Sequence, residues 1–219
     1  MSENHEHDAK LAIEVLDKII ASDDKIRALV ERCKKMADKF GSPEKRDKRV
    51  VHLIIAHYSN MCLVGGGVSG LPGIFPVVGP IFAVLGAGAV DAIWALKFEI
   101  EMVLALSYFA GHDISDPRER KIAYLMACSS LEDAYDNSTK ASVKKIIDLA
   151  ISEYSTRELS KTMIKAVARA IMTLTAKRLT KYFPIVGMVI GASTNKVMTE
   201  YTGRICWQMI KKRPEEEES

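Results

Sequence analysis

Apolar residues recur three and four apart from Leu11 through Val15, Leu16, Ile19, Ile20, Ile26, Leu29, Val30, Cys33, Met36 and Ala37 to Phe40, the spacing of one amphipathic helical stripe. Ser22-Asp23-Asp24 breaks the stripe into two helices, and Gly41 ends it. Ser42-Pro43-Glu44 then reads as an N-cap with proline in the first turn, opening a helix from Pro43 to about Val64 that stops at Gly65-Gly66-Gly67. A long helix is expected from about Pro80 to Ala110, with Gly111 as its stop, and Asp116-Pro117 opens another through about Tyr135. Ser138 or Thr139 starts a short helix to Ser152. Ser155-Thr156-Arg157-Glu158 has the form of a capping box, and Leu159, Met163, Val167, Ala170, Ile171 and Leu174 mark the core face of the next helix.

Two segments interrupt this helical periodicity. From Val50 to Val90 there is no Asp, Glu, Lys or Arg, a length sufficient for a bilayer span, but eight glycines and Pro72, Pro76 and Pro80 divide it into short pieces. Proline removes a backbone donor and clashes with the preceding turn, so Gly65 to Gly79 reads as irregular backbone, and such backbone cannot face lipid hydrocarbon. A loop buried by neighbouring helices or a shallow re-entrant hairpin is favoured over a simple span. Tyr182 to Asn195 is a second uncharged segment, too short to cross. Phe75-Pro76-Val77-Val78-Gly79 and Phe183-Pro184-Ile185-Val186-Gly187 share one pattern, which suggests a pseudo-repeat; proline followed by small apolar residues is also simply how buried helices begin. The expected fold is all-α, a multi-helix bundle with two Gly/Pro-broken apolar helix starts. Its expected divisions are an N-terminal amphipathic segment at 1–41, a helical domain at 42–213 and an acidic disordered tail at 214–219.

Composition adds two constraints. A hydrophobic fraction of 48% shows that much apolar surface is buried in protein or lipid. Cys33, Cys62, Cys128 and Cys206 lie far apart without metal-ligand spacing, and the N-terminus is polar, so a reducing cytoplasmic setting is expected. The net charge of +3 conceals a concentration of cations: between Arg157 and Arg213 twelve Lys/Arg face two acids. Lys161, Lys165, Arg169, Lys177 and Lys181 fall on one i+4 ridge, and Lys211, Lys212 and Arg213 extend the basic region. That pattern suits an anionic membrane surface; a solvated face neutralised by the rest of the fold is the plainer reading.

Catalytic patterns fail on context. Gly65, Gly67 and Gly70 match G-x-G-x-x-G in form only, because a helix precedes them and prolines come after them where a strand and an unbroken helix are required. Ser69 lacks a nucleophile elbow, and His52 and His57, five apart, read as ordinary helix residues. Asp91, with Lys97, Glu99 and Glu101, makes an apolar helix polar in its middle; it either binds something at the centre of the fold or reaches solvent. No enzyme activity, cofactor, metal or nucleic-acid partner is expected.

The run Gly65 to Gly73, Asp91, Gly111-His112-Asp113, and the closing Phe183-Pro184-Ile185-Val186-Gly187 with Asn195 and Gly203-Arg204 together resemble the EcsC family of bacterial proteins over roughly residues 40 to 210. The resemblance implies an apolar, membrane-linked bacterial protein without an established biochemical activity; with the apolar loops and the basic C-terminal half, the expectation is peripheral association with the inner face of the cytoplasmic membrane or with a membrane transporter complex. The competing expectation is a helical module that encloses an apolar ligand between its two pseudo-repeats; Gly65, Gly67, Gly70, Pro72, Phe75, Pro76, Asp91, Phe183, Pro184 and Asn195 are the candidate ligand or membrane site on either reading.

Overall fold

A computed structural model describes residues 3–39, 41–64, 87–135, 147–148, 150, 155–179 and 192–213. These form seven helices and no strand: α1 (Glu3–Ile19), α2 (Asp23–Ala37), α3 (Pro43–Val64), α4 (Ala87–Phe109), α5 (Pro117–Tyr135), α6 (Thr156–Leu179) and α7 (Ala192–Ile210). The Gly/Pro-rich stretch 65–86, the segment 180–191 that carries the second copy of the pattern, and the acidic tail lie outside the described residues.

Local chemistry sets the helix ends. Ser155 and Glu158 form the expected capping box: the Ser155 backbone N–H donates to Glu158 Oε2 at 3.0 Å, and the Glu158 N–H donates to Ser155 Oγ at 3.3 Å. Asp116 Oδ1 accepts the Arg118 N–H at 2.9 Å just before α5, with Pro117 in the first turn. Gly111 has φ +94°, and the His112 N–H donates to the Ser107 carbonyl at 3.0 Å while Gly111 donates to Tyr108. This left-handed stop satisfies the last carbonyls of α4 and needs a residue without Cβ.

Helix α4 is the hub. It touches all six other helices, which succeed one another around it as neighbours in the order α1, α6, α5, α7, α3 and α2. Every residue from Leu96 to Ser107 is buried, as expected for a helix whose apolar surface runs all the way round. Helices α1 and α2 share one continuous core with the rest, through Ala12, Val15, Leu16, Ile26 and Val30. Met36, placed on the core stripe by its spacing, is instead 59% exposed, while Cys33 and Ala37 beside it are buried at 5% and 0%, so Met36 falls on the outer edge of the stripe. Gly203 of α7 allows close approach to α3 and α4: a Cβ there would lie 2.9 Å from both Ile55 Cγ1 and Met102 Sδ.

Among the described residues no helix is long and apolar enough to cross a membrane. The reason is visible in α4, which has the length but carries Asp91, Lys97, Glu99 and Glu101.

Candidate functional site

Glu99 and Glu101 are two residues apart on α4, hence about 200° apart around it at 100° per residue. They enter two different surroundings. Glu101 points toward α2 and the elbow that joins α1 to α2. Its Oε1 accepts the Ala21 backbone N–H and the Lys97 ammonium, each at 2.6 Å, and the Lys97 and Glu101 side chains are only 10% and 5% exposed. Lys97 Nζ also sits 4.6 Å from the centroid of Phe98. Two further bonds fix the elbow: Tyr124 Oη donates to Asp17 Oδ1 and Arg120 Nη1 to Asp23 Oδ1, both at 2.6 Å.

A pocket of about 300 Å3 opens at this place, between the first half of α2, the last turns of α3 and the middle of α4. Apolar walls come from Ala21, Ile26, Ala28, Leu29, Met61 and Phe98; Glu101, Tyr58, His57, Arg32 and Lys25 supply the polar groups. Tyr58 is buried, and its phenol is pushed up first by burial and then by the Glu101 charge. His57 stands at the exposed rim, its imidazole held below the ordinary value by partial desolvation and then by Arg32.

Glu99 faces the opposite side. Its Oε1 accepts a hydrogen bond from Thr199 Oγ1 of α7 at 2.7 Å, and Oε2 is buried without a partner among the described residues. Burial pushes its pKa up to about 7, with the Thr199 bond opposing the shift. Around it the Cys62 and Cys206 thiols are each pushed up to about 12, first by burial, and Cys128 is raised for the same reason. All four cysteines are free and buried. Such thiols are poor nucleophiles, and among the described residues no group of His, Cys, Asp or Glu is arranged to hold a metal.

The sequence pattern marks the three charges in the middle of α4 but not the pocket, and His57 reads there as an ordinary helix residue. The available signal is Lys97 four residues before Glu101 within an apolar helix, a spacing that permits a same-face ion pair. Asp91 is half-buried near the start of α4. Gly65, Gly67, Gly70, Pro72, Phe75, Pro76, Phe183, Pro184 and Lys181 lie outside the described residues, whereas Asn195 and Lys177 belong to the backbones of α7 and α6.

On the basic face, Lys161, Lys165 and Arg169 are exposed on α6, as are Lys211 and Lys212 after α7. Arg213 requires correction. Its side chain is 5% exposed and forks onto Glu119, itself 2% exposed, with both bonds at 2.5–2.6 Å, so it anchors the end of α7 to the start of α5. The ridge is also partly neutralised. Arg169 Nε pairs with Glu132 of α5 at 3.3 Å. Glu6 of α1 lies near enough that Lys165 and Lys161 help its Lys10 partner hold it below the usual carboxylate range.

No family model, no curated protein and no solved structure matches the chain.

Proposed function

We propose that this chain is a non-catalytic helical binding module whose ligand site is the pocket between α2, α3 and α4. The observation that carries the reading is the coincidence of a concave space of about 300 Å3 with a carboxylate fixed in its wall by Lys97 and the Ala21 N–H. Ligand sites join mostly apolar walls to a few oriented polar groups, and that volume is at the small end of their range. The buried thiols, with their pKa values raised, favour binding over covalent chemistry.

An amphipathic fluorescent probe, 1-anilinonaphthalene-8-sulfonate, tests the site. One saturable site is expected in the native protein. Ala28→Trp, at an exposed pocket-lining position, fills the pocket from outside and removes that binding, while folding stability stays within about 0.5 kcal/mol as for other surface substitutions. Equal probe binding by both proteins defeats the reading.

A second reading, peripheral attachment of an EcsC-like protein to an anionic membrane or a membrane complex, is favoured by Lys161 and Lys165, exposed one turn apart on α6. Met172, 37% exposed, lies two turns further along the helix.

A further inference from the structure

The chemistry of the pocket goes further than the presence of a site, and the ligand class it points to rests on the binding reading. Its wall holds an acceptor, the Glu101 carboxylate already paired with Lys97, and its rim holds two cations. In the wall, Glu101 is 4% exposed; Oε1 carries both of its hydrogen bonds, and Oε2 accepts none among the described residues. Because Glu101 lines the pocket, this oxygen is able to accept a donor from a ligand there. At the rim, Lys25 and Arg32 stand seven residues apart on α2, a spacing that puts both on one face, and both are exposed. Among the described residues neither has an ion-pair partner, although Lys34 on the same helix pairs with Glu31 and Arg27 with Asp113. Leu29 and Phe98 also line the pocket.

We infer that the pocket takes a small zwitterion, an α-amino acid with an apolar or aromatic side chain. Its ammonium donates to Glu101 Oε2, its carboxylate meets Arg32 and Lys25, and its side chain covers Leu29 and Phe98. A simple carboxylic acid satisfies the rim and leaves the Glu101 oxygen without a donor. A simple amine satisfies Glu101 and is repelled by the two rim cations. The volume of about 300 Å3 is ample for one amino acid. Guanidinium recognition of a carboxylate and an ammonium–carboxylate bond are both charge-assisted, which makes each end of the ligand a determinant of affinity.

Calorimetric titration of the full chain with L-phenylalanine and L-leucine, and with their des-amino acids and decarboxylated amines, tests this. The amino acids bind, and each truncation weakens binding by about tenfold or more, the scale of one lost charge-assisted bond. Arg32→Ala, at an exposed position, weakens the amino acids and does not weaken the amines, which lose a repelling cation; Glu101→Gln, with helicity checked by circular dichroism, weakens the amino acids and does not weaken the acids. Truncated ligands that bind as well as the parents overturn the proposal. Amino acids that fail to displace 1-anilinonaphthalene-8-sulfonate, when Ala28→Trp still abolishes probe binding, overturn the ligand class alone. Probe binding indifferent to Ala28→Trp overturns the pocket itself.

Discussion

The two sides of helix α4 treat the same residue type in opposite ways. On the side of α2, Glu101 is a carboxylate held by Lys97 and a backbone N–H, and the space beyond it is a pocket. On the side of α7, Glu99 has among the described residues one hydroxyl donor and no ion-pair partner, and the Cys62, Cys128 and Cys206 thiols lie near enough to feel its charge. Both residues are almost completely buried, so burial does not tell them apart. The partner set does: a cation and an amide donate to Glu101, while Glu99 has a lone Thr199 hydroxyl, and burial pushes its pKa up to about 7. A buried acid indicates a binding site only where space for a ligand adjoins it, and that holds on the Glu101 side.

The largest effect is expected from removing Lys97. Lys97→Ala leaves Glu101 a buried charge with only the Ala21 N–H, and should cost about 3 to 5 kcal/mol by urea unfolding, as broken buried pairs do. The double change Lys97→Met with Glu101→Gln should recover most of that loss, because no uncompensated charge remains. Equal stability of the single variant and the native chain would mean that Glu101 is not held as a carboxylate.

Next comes the pH dependence on the Glu99 side. The folded-state pKa is raised, so the folded chain binds more protons than the unfolded one between about pH 4.5 and 7. The stabilisation is therefore fully present below 4.5 and is lost as pH rises through 7, by about 3 kcal/mol at 1.36 kcal/mol per pH unit. Glu99→Gln keeps an acceptor for Thr199 and should remove this slope. If native and Glu99→Gln proteins show parallel stability curves over that range, the contrast between the two glutamates disappears.

The smallest effect concerns the α6 ridge, far from both glutamates in character because its charges are exposed. Lys161→Glu with Lys165→Glu should change stability by less than about 0.5 kcal/mol while weakening sedimentation with vesicles containing phosphatidylserine. Unchanged sedimentation would remove the ridge from any membrane reading.

The all-α fold and several helix ends are legible in the sequence because they depend on neighbours along the chain. Gly111, Asp116-Pro117 and the Ser155–Glu158 box each act within one turn, and α4 is readable as a helix from its largely apolar sequence between Pro80 and Gly111. The candidate site is not legible in the same way. Glu101 meets Ala21 80 residues away, and the pocket needs α2, α3 and α4 together, a conjunction that no local pattern encodes. Arg213 shows the same limit. Its spacing beside Lys211 and Lys212 reads as surface charge, yet its partner Glu119 lies 94 residues upstream and draws it into the interior. The neutralisation of Arg169 by Glu132 is hidden for the same reason.

The binding pocket is tested most directly by methyl nuclear magnetic resonance of the full chain, labelled at Met, Leu and Ala methyl groups and titrated with 1-anilinonaphthalene-8-sulfonate. Saturable shifts are expected at Met61, Leu29 and Ala28, with Met163 and Met172 on α6 unmoved. Shifts centred on α6, or spread evenly over the surface without saturation, would contradict a ligand site between α2, α3 and α4.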